Sequence, residues 1–336
     1  MVRLKDIAQL ASVSVMTVSK ALRDEPDVSA ATRAKIKKLA LDLGYVPNTS
    51  AQGLRTNTTK LLGLVIPSTL NPIYARIVSA IEERTHDFGY DLLIAQTQNK
   101  AEREDACLRR LLARRVDGLL ITPVYRFEAE ARIYHEIAVR KIPAVLLGPP
   151  APFCKNFPSI ETQELEASYS ATKHLIDLGH KKIAYLTGPP AAPWAHERFE
   201  GYRRALRDAG LQPDDKMVFQ AGSTIEDGTK AALQMMNENC QATAVQAVND
   251  LVAIGCANTL MNQGVKIPHD RSIMGFGNIL TAEYFRVPLT TVRQPKFRLG
   301  VAAMDAMRQL LKGERVESKR QSAELILRAS TAPPAK

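Results

Sequence analysis

Two short amphipathic stretches near the N-terminus are joined by only Ser12-Val13-Ser14, and this connection restricts the fold more than any other feature of the chain. Residues 5–11 put Ile7, Ala8 and Ala11 on one helical face. Residues 14–23 put Val18, Ala21 and Leu22 at i, i+3 and i+4, a second apolar stripe that must pack on something. Helices joined by so short a link fold back on each other as a tight helix-turn-helix. Ser14 can cap the second helix with its side-chain oxygen. A third helix is expected from Ser29, with Ile36, Leu39, Ala40 and Leu43 buried; Gly44 ends it and Pro47 stops it.

The second helix turns Val15, Met16, Ser19, Lys20 and Arg23 outward, with Thr17 at the edge. Such a face suits a DNA major groove. Hydroxyls meet phosphates, Lys20 meets guanine acceptors, and Val15 and Met16 meet thymine methyls. Charge agrees: residues 1–59 hold nine basic and five acidic side chains, a net +4, while the other 277 residues share the remaining +6. Basic charge concentrated on a small helical unit favours phosphate.

The motifs Leu4-Lys5-Asp6-Ile7-Ala8, Thr17-Val18-Ser19, Val28-Ser29 and Leu43-Gly44-Tyr45-Val46-Pro47-Asn48 resemble the headpiece of the LacI/GalR family of bacterial transcription regulators, and the likeness runs to about residue 328. It implies a pseudo-palindromic DNA operator, a homodimer and a small-molecule effector, a sugar or sugar derivative. It further implies a hinge helix capped by Asn48, with Ala51 and Leu54 apolar and Leu54 wedged into the minor groove. Gln52 stands where an Arg is frequent in the family, and Gly53 weakens so short a helix further.

From Leu61 onward, short apolar runs alternate with amphipathic helices, which argues for parallel, doubly wound sheets covered on both faces. The expected architecture is an all-α helix-turn-helix headpiece (1–47), a hinge or linker (48–59), and an α/β two-lobed core. The resemblance makes this core similar to periplasmic binding proteins. One lobe is expected to hold 60–159 with 291–313, the other 160–290 with 314–330, leaving a tail at 331–336. The resemblance further implies that the strand Thr290–Arg293 and helix 297–312 return to the first lobe and Ala323–Leu327 to the second.

Ligands of such sheets sit beyond the carboxyl ends of the strands. The resemblance directs attention to Asn71, Ile73 and Tyr74 after the first strand. It also marks Arg198 in Glu-Arg-Phe-Glu-Gly-Tyr, and Asn249 beside Asp250, the latter read as the cap of the next helix. Trp194, the only tryptophan, stands in the loop before Arg198 and is a candidate stacking surface; Asn278 completes the set. Gly148 and Gly277 replace carboxylates frequent in the family, so acidic acceptors are expected to be short in the cleft. An anionic sugar derivative pairing with Arg198 would relieve that shortage.

Other classes are disfavoured. No Walker loop, HExxH or Gly-x-Ser-x-Gly occurs, so neither a catalytic residue nor a cofactor is expected, and an enzyme on the same core would leave the headpiece unexplained. The cysteines, Cys107, Cys154, Cys240 and Cys256, have no metal spacing; free thiols in a cytoplasmic protein are expected, with no metal. No apolar run reaches membrane-helix length, so no membrane partner is expected. The ending Ala332-Pro333-Pro334-Ala335-Lys336 carries no leucine heptad to form a coiled coil. A nucleoside or purine effector is the alternative to a sugar.

If residues 49–56 become helical only on DNA, Gly53→Ala is expected to tighten operator binding by up to about 1 kcal/mol per subunit. Equal hinge helicity by circular dichroism with and without operator would refute folding on binding.

Overall fold

The computed structural model describes residues 2–46 and 58–335. Pro47 and the hinge positions Asn48, Ala51, Gln52, Gly53 and Leu54 lie outside the described residues. The chain forms two compact units, residues 1–59 and 60–336.

Among the described residues, the first unit has three helices, α1 (Leu4–Ala11), α2 (Val15–Leu22) and α3 (Ala30–Asp42). The capping serines start two of them. Ser14 Oγ accepts the amide of Thr17 at 3.0 Å, and Ser29 Oγ that of Thr32 at 3.2 Å. Ile7, Ala8, Ala11, Val18, Ala21, Val28, Ile36 and Ala40 form one small core, with Leu22, Leu39 and Leu43 half-buried against it. Gly44 ends α3 at φ +64°, a left-handed value that needs no Cβ.

The second unit carries two six-stranded sheets. The first runs β11-β5-β4-β3-β1-β2, with β1 (Leu61–Ile66), β2 (Asp91–Gln96), β3 (Gly118–Ile121), β4 (Ala144–Leu147), β5 (Ser159–Thr162) and β11 (Lys319–Gln321). The second runs β12-β10-β9-β8-β6-β7, with β6 (Ile183–Thr187), β7 (Val218–Gln220), β8 (Ala244–Ala247), β9 (Ser272–Gly277), β10 (Thr290–Arg293) and β12 (Glu324–Ile326). The pairings are parallel except β10 with β12. Helices cover both faces of each sheet. In the first lobe Ile73–Asp87 lies against Lys296–Leu311 on one face, with Ala101–Ala113 on the other.

The late segments are distributed differently from expectation. Thr290–Arg293 joins the second sheet, in register with Met274–Gly277, and the chain changes lobe only after it. Helix Lys296–Leu311 does return to the first lobe, and Glu324–Ile326 to the second. Ser159–Thr162 is a strand of the first sheet, so the first crossing falls near residue 163 rather than in the loop 149–159. Lys319–Gln321 is likewise in the first sheet, not the second. Ser159–Thr162 and Lys319–Gln321 are short and largely polar, so they carry no apolar run to announce them. Nor are residues 331 and 332 a free tail: Ala332 N–H donates to Ser272 Oγ at 3.0 Å, and the Ala332 carbonyl is 2.9 Å from His180 Nε2.

Two helices of the second lobe, Ile225–Asn237 and Asp250–Asn262, cross on glycines. A Cβ on Gly228 would lie 2.1 Å from the Val252 carbonyl oxygen, and one on Gly255 2.0 Å from that of Ile225. The obstacle is backbone and cannot rotate aside. Gly255→Ala is therefore expected to cost about 1–3 kcal/mol through forced separation of the helices, read as a lower urea midpoint for the core transition.

Candidate functional site

The strand order reverses at β1 in one sheet and at β6 in the other, and the loops leaving these strands and their neighbours face each other across a cleft of about 480 Å³. Asn71, Ile73, Tyr74, Trp194, Arg198 and Asn249 all line it. Asn278 does not. Its side chain accepts from Arg328 Nη2 at 2.8 Å, and its backbone turns over at φ +49°.

Arg198 is the centre of the cleft wall. Its helix starts at Pro193, which puts the residue in the second turn, and it is only 5% exposed. Nε donates to Glu164 Oε2 at 2.8 Å and Nη1 to the Val248 carbonyl at 2.6 Å. The guanidinium carbon stands 3.7 Å from the Phe276 ring centre and 4.7 Å from that of Trp194. Trp194 is thus on the first helical turn rather than in a loop, and its ring already serves the guanidinium. An unpaired cation awaiting an anionic ligand is not what Arg198 offers, because Glu164 neutralises it. Burial pushes the Glu164 carboxyl up from its usual range, and the neighbouring guanidinium opposes that rise.

Glu164 and Gln294 lie at two of the lobe crossings and are bonded to each other: Gln294 Nε2 donates to Glu164 Oε1 at 3.1 Å and contacts Thr162 Oγ1 at 3.3 Å. A third crossing group is Lys296, the first residue of the helix returning to the first lobe. Its ammonium donates to the carbonyls of Gly277 and Asn278 in the second lobe, the latter at 2.8 Å. Burial pulls its pKa down to about 8, while the Asp250 carboxylate acts in the opposite sense.

The helix cap expected of Asp250 is made by Asn249 instead, and both residues line the cleft. Asn249 caps the helix, its Oδ1 accepting from Val252 N–H at 2.8 Å, while Nδ2 donates to the Ser223 carbonyl at 3.1 Å. Asp250 is buried in the cleft wall and accepts from Thr291 Oγ1 at 2.5 Å and Ile279 N–H at 2.8 Å. Asn71 does brace the start of its helix, accepting from Ile73 N–H at 3.2 Å. Glu161, Glu164, Asp227 and Asp250 all line the cleft, so acidic acceptors are not lacking. At Gly277 the reason is the backbone, which sits at φ +135° where a side chain is strained, and a Cβ there would also lie 3.3 Å from Asp250 Oδ2. At Gly148 a Cβ would lie 3.0 Å from Tyr125 Oη, whose hydroxyl donates to the Pro149 carbonyl at 2.8 Å.

On the headpiece, Val15 and Met16 are 45% and 69% exposed, as a reading face requires. The polar members of that face are already engaged. Thr17 Oγ1 pairs with Ser14 Oγ at 2.9 Å, Ser19 Oγ accepts from Arg23 Nη1 at 2.6 Å, and Lys20 is ion-paired with Asp27.

A three-helix reading head together with a two-lobed, ligand-sized cleft defines a regulator that couples small-molecule binding to DNA. Residues 3–48 match the family model described as "Bacterial regulatory proteins, lacI family", and residues 59–328 match "Periplasmic binding proteins and sugar binding domain of LacI family". The chain belongs to the LacI family of bacterial transcription regulators. It is 32% identical to the HTH-type transcriptional repressor PurR of Photobacterium profundum, over 98% of both chains. It is 31% identical to the repressor CytR of Escherichia coli K12, over 98% of this chain and 96% of that one. The lac repressor dimer bound to operator and the anti-inducer ONPF aligns over 98% of this chain and 99% of its own, with TM-score 0.88 and 29% identity. The regulator CelR in complex with cellobiose aligns over 98% and 100%, with TM-score 0.73 and 27% identity. PurR, CytR and the lac repressor are transcriptional repressors rather than enzymes. No helix among the described residues is long and apolar enough to cross a membrane.

A lysine whose folded pKa is below its unfolded value lets the unfolded chain hold the extra proton, so stability rises with pH between about 8 and the ordinary 10.5. The stability of the wild-type core relative to Lys296→Met is expected to increase from pH 8 to pH 10, followed by urea unfolding at each pH. A pH-independent difference would show that Lys296 does not titrate in that window.

Proposed function

We propose that this chain is a cytoplasmic homodimeric repressor. In this reading it binds a pseudo-palindromic operator through α2 and the hinge, and responds to a neutral, hydroxyl-rich effector, a sugar or sugar derivative, held in the cleft. Val15, Met16 and Lys20 read base edges, Thr17 and Ser19 approach phosphates, and Asn48, Ala51 and Leu54 belong to the hinge. Asn71, Ile73 and Tyr74 meet the effector from the first lobe, with Trp194, Arg198 and Asn249 from the second. Asn278 drops out of the set because it does not line the cleft, its side chain being turned to Arg328.

The observation that carries the effector reading is the charge pairing of the cleft. Arg198 is matched by Glu164, Glu161 by Arg320 at 3.1 Å, and the Lys296 ammonium is satisfied by two carbonyls. An anionic ligand would meet a guanidinium already neutralised by Glu164, beside the further carboxylates Glu161, Asp227 and Asp250 in the same cleft wall, which is costly. A neutral polyol leaves the pairs intact and uses the free hydrogen-bonding positions. The third guanidinium nitrogen of Arg198 is one of these, since only Nε and Nη1 are engaged. The cellobiose complex of CelR supplies a sugar-binding relative. A second reading, a nucleoside or purine, is favoured by the aromatic surface of Tyr74, Tyr125, Trp194 and Phe276 in the same cleft.

The test is a thermal-shift screen of the full chain with neutral sugars, sugar acids and nucleosides, followed by titration of Arg198→Ala and Trp194→Ala. A neutral sugar is expected to stabilise the wild type, by about 2.7 kcal/mol at a hundred times its Kd. Arg198→Ala is expected to lose roughly tenfold or more in affinity, from removal of a buried charge-assisted donor. Stabilisation by sugar acids alone, or full affinity in Arg198→Ala, would overturn this placement.

A further inference from the structure

We propose that Asp27 is a specificity-determining residue of the headpiece, acting by holding the Lys20 ammonium so that Lys20 is released only to a base pair offering two acceptors. The proposal rests on the reading above in which Lys20 faces base edges.

Asp27 lies in the turn between α2 and α3, and the turn is built to keep it where it is. The amides of Arg23 and Glu25 both donate to the Lys20 carbonyl at 3.1 Å, closing the end of α2. Val28 is 6% exposed and anchors the other end in the headpiece core. Arg33 reaches back from α3 and donates from Nη2 to the carbonyls of Glu25 at 2.8 Å and Val28 at 3.0 Å. On the near side Arg23 is clamped by Glu25 at 2.7 Å. On the far side Lys37 is clamped by Asp24 at 2.6 Å. The Asp27 carboxylate is therefore presented to Lys20 by a fixed backbone. The pair is partly exposed, at 33% for the lysine side chain and 50% for the aspartate. Exposed pairs contribute little to stability, so stability does not account for the arrangement.

Its consequence for binding follows from competition. A phosphate, or a base edge with one acceptor, offers Lys20 about what Asp27 already gives it, and Asp27 adds repulsion against any nearby phosphate. Guanine offers O6 and N7 together, which compensates for the broken ion pair. The carboxylate thus taxes non-specific contacts more than the correct one.

The test uses the full chain as wild type, Asp27→Asn, Lys20→Gln and the double variant. Each is taken through selection from a duplex library with randomised symmetric half-sites. Each is then titrated against the wild-type-selected duplex and a scrambled duplex of equal length. Asp27→Asn is isosteric and exposed, and its thermal unfolding is followed alongside. It is expected to tighten scrambled-duplex binding about tenfold and selected-duplex binding no more than about threefold. The expected signature includes a weaker guanine preference at one symmetric position and no effect of Asp27→Asn in the Lys20→Gln background. An unchanged ratio and preference in Asp27→Asn overturns the proposal. So does an equal gain with and without Lys20, which marks a general charge effect. If Lys20→Gln itself leaves the preference unaltered, base reading by Lys20 fails, and the role of Asp27 fails with it.

Discussion

The core depends on the buried ion pair between Arg198 and Glu164. Taking both charges out of water is expensive, and their attraction alone rarely repays the cost. Here the rest of the cleft wall supplies the balance. The Val248 carbonyl accepts a second guanidinium hydrogen, Gln294 bonds the other carboxylate oxygen, and Phe276 and Trp194 lie against the guanidinium. Because Glu164 and Gln294 follow two different lobe crossings, one pair fixes the ends of both connections. The arrangement makes Arg198 a post for the side of the cleft where the chain crosses between lobes, and leaves only its third guanidinium nitrogen for a ligand.

Much of the headpiece was legible in the sequence because its determinants are local. Ser14 and Ser29 cap within three residues of themselves, Gly44 ends its helix by its own φ, and the apolar spacing of Val18 and Ala21 names the buried face. What was not legible is which charges find each other. Lys20 and Asp27 are seven residues apart and on different local structures, so no helical periodicity links them. On α2 and at its C-terminal cap, the cations read as facing DNA, Lys20 and Arg23, are each paired with an acid.

In the core, strands with continuous apolar runs could be located, but not the sheet that each late strand joins. Thr290–Arg293 carries no signal that it pairs with β9, since a parallel partner is chosen by contacts far away in sequence. The candidate site divides the same way. Asn71, Tyr74, Arg198 and Asn249 follow recognisable strand-end motifs and do meet in the cleft. Glu161, Glu164, Gln294 and Lys296 were missed because they sit at or beside crossings that the misassigned strands concealed. Asp250 was visible but misread: a carboxylate after a strand suits a cap, and only the fold shows that Asn249 takes that part.

These placements bear on how a ligand in this cleft would act. A ligand shifts a conformational equilibrium only through contacts that differ between its states. The side chains that line the cleft and those that join the lobes are here largely the same: Glu164 and Gln294 at the crossings, and Lys296 reaching from the first lobe to the carbonyls of Gly277 and Asn278 in the second. An occupant that draws on Arg198 also loads Glu164, and through Gln294 the second crossing. Recognition and lobe geometry are therefore not separate properties joined by a long path. They are two consequences of one buried hydrogen-bonded cluster, and a substitution that loosens the cluster is bound to alter both.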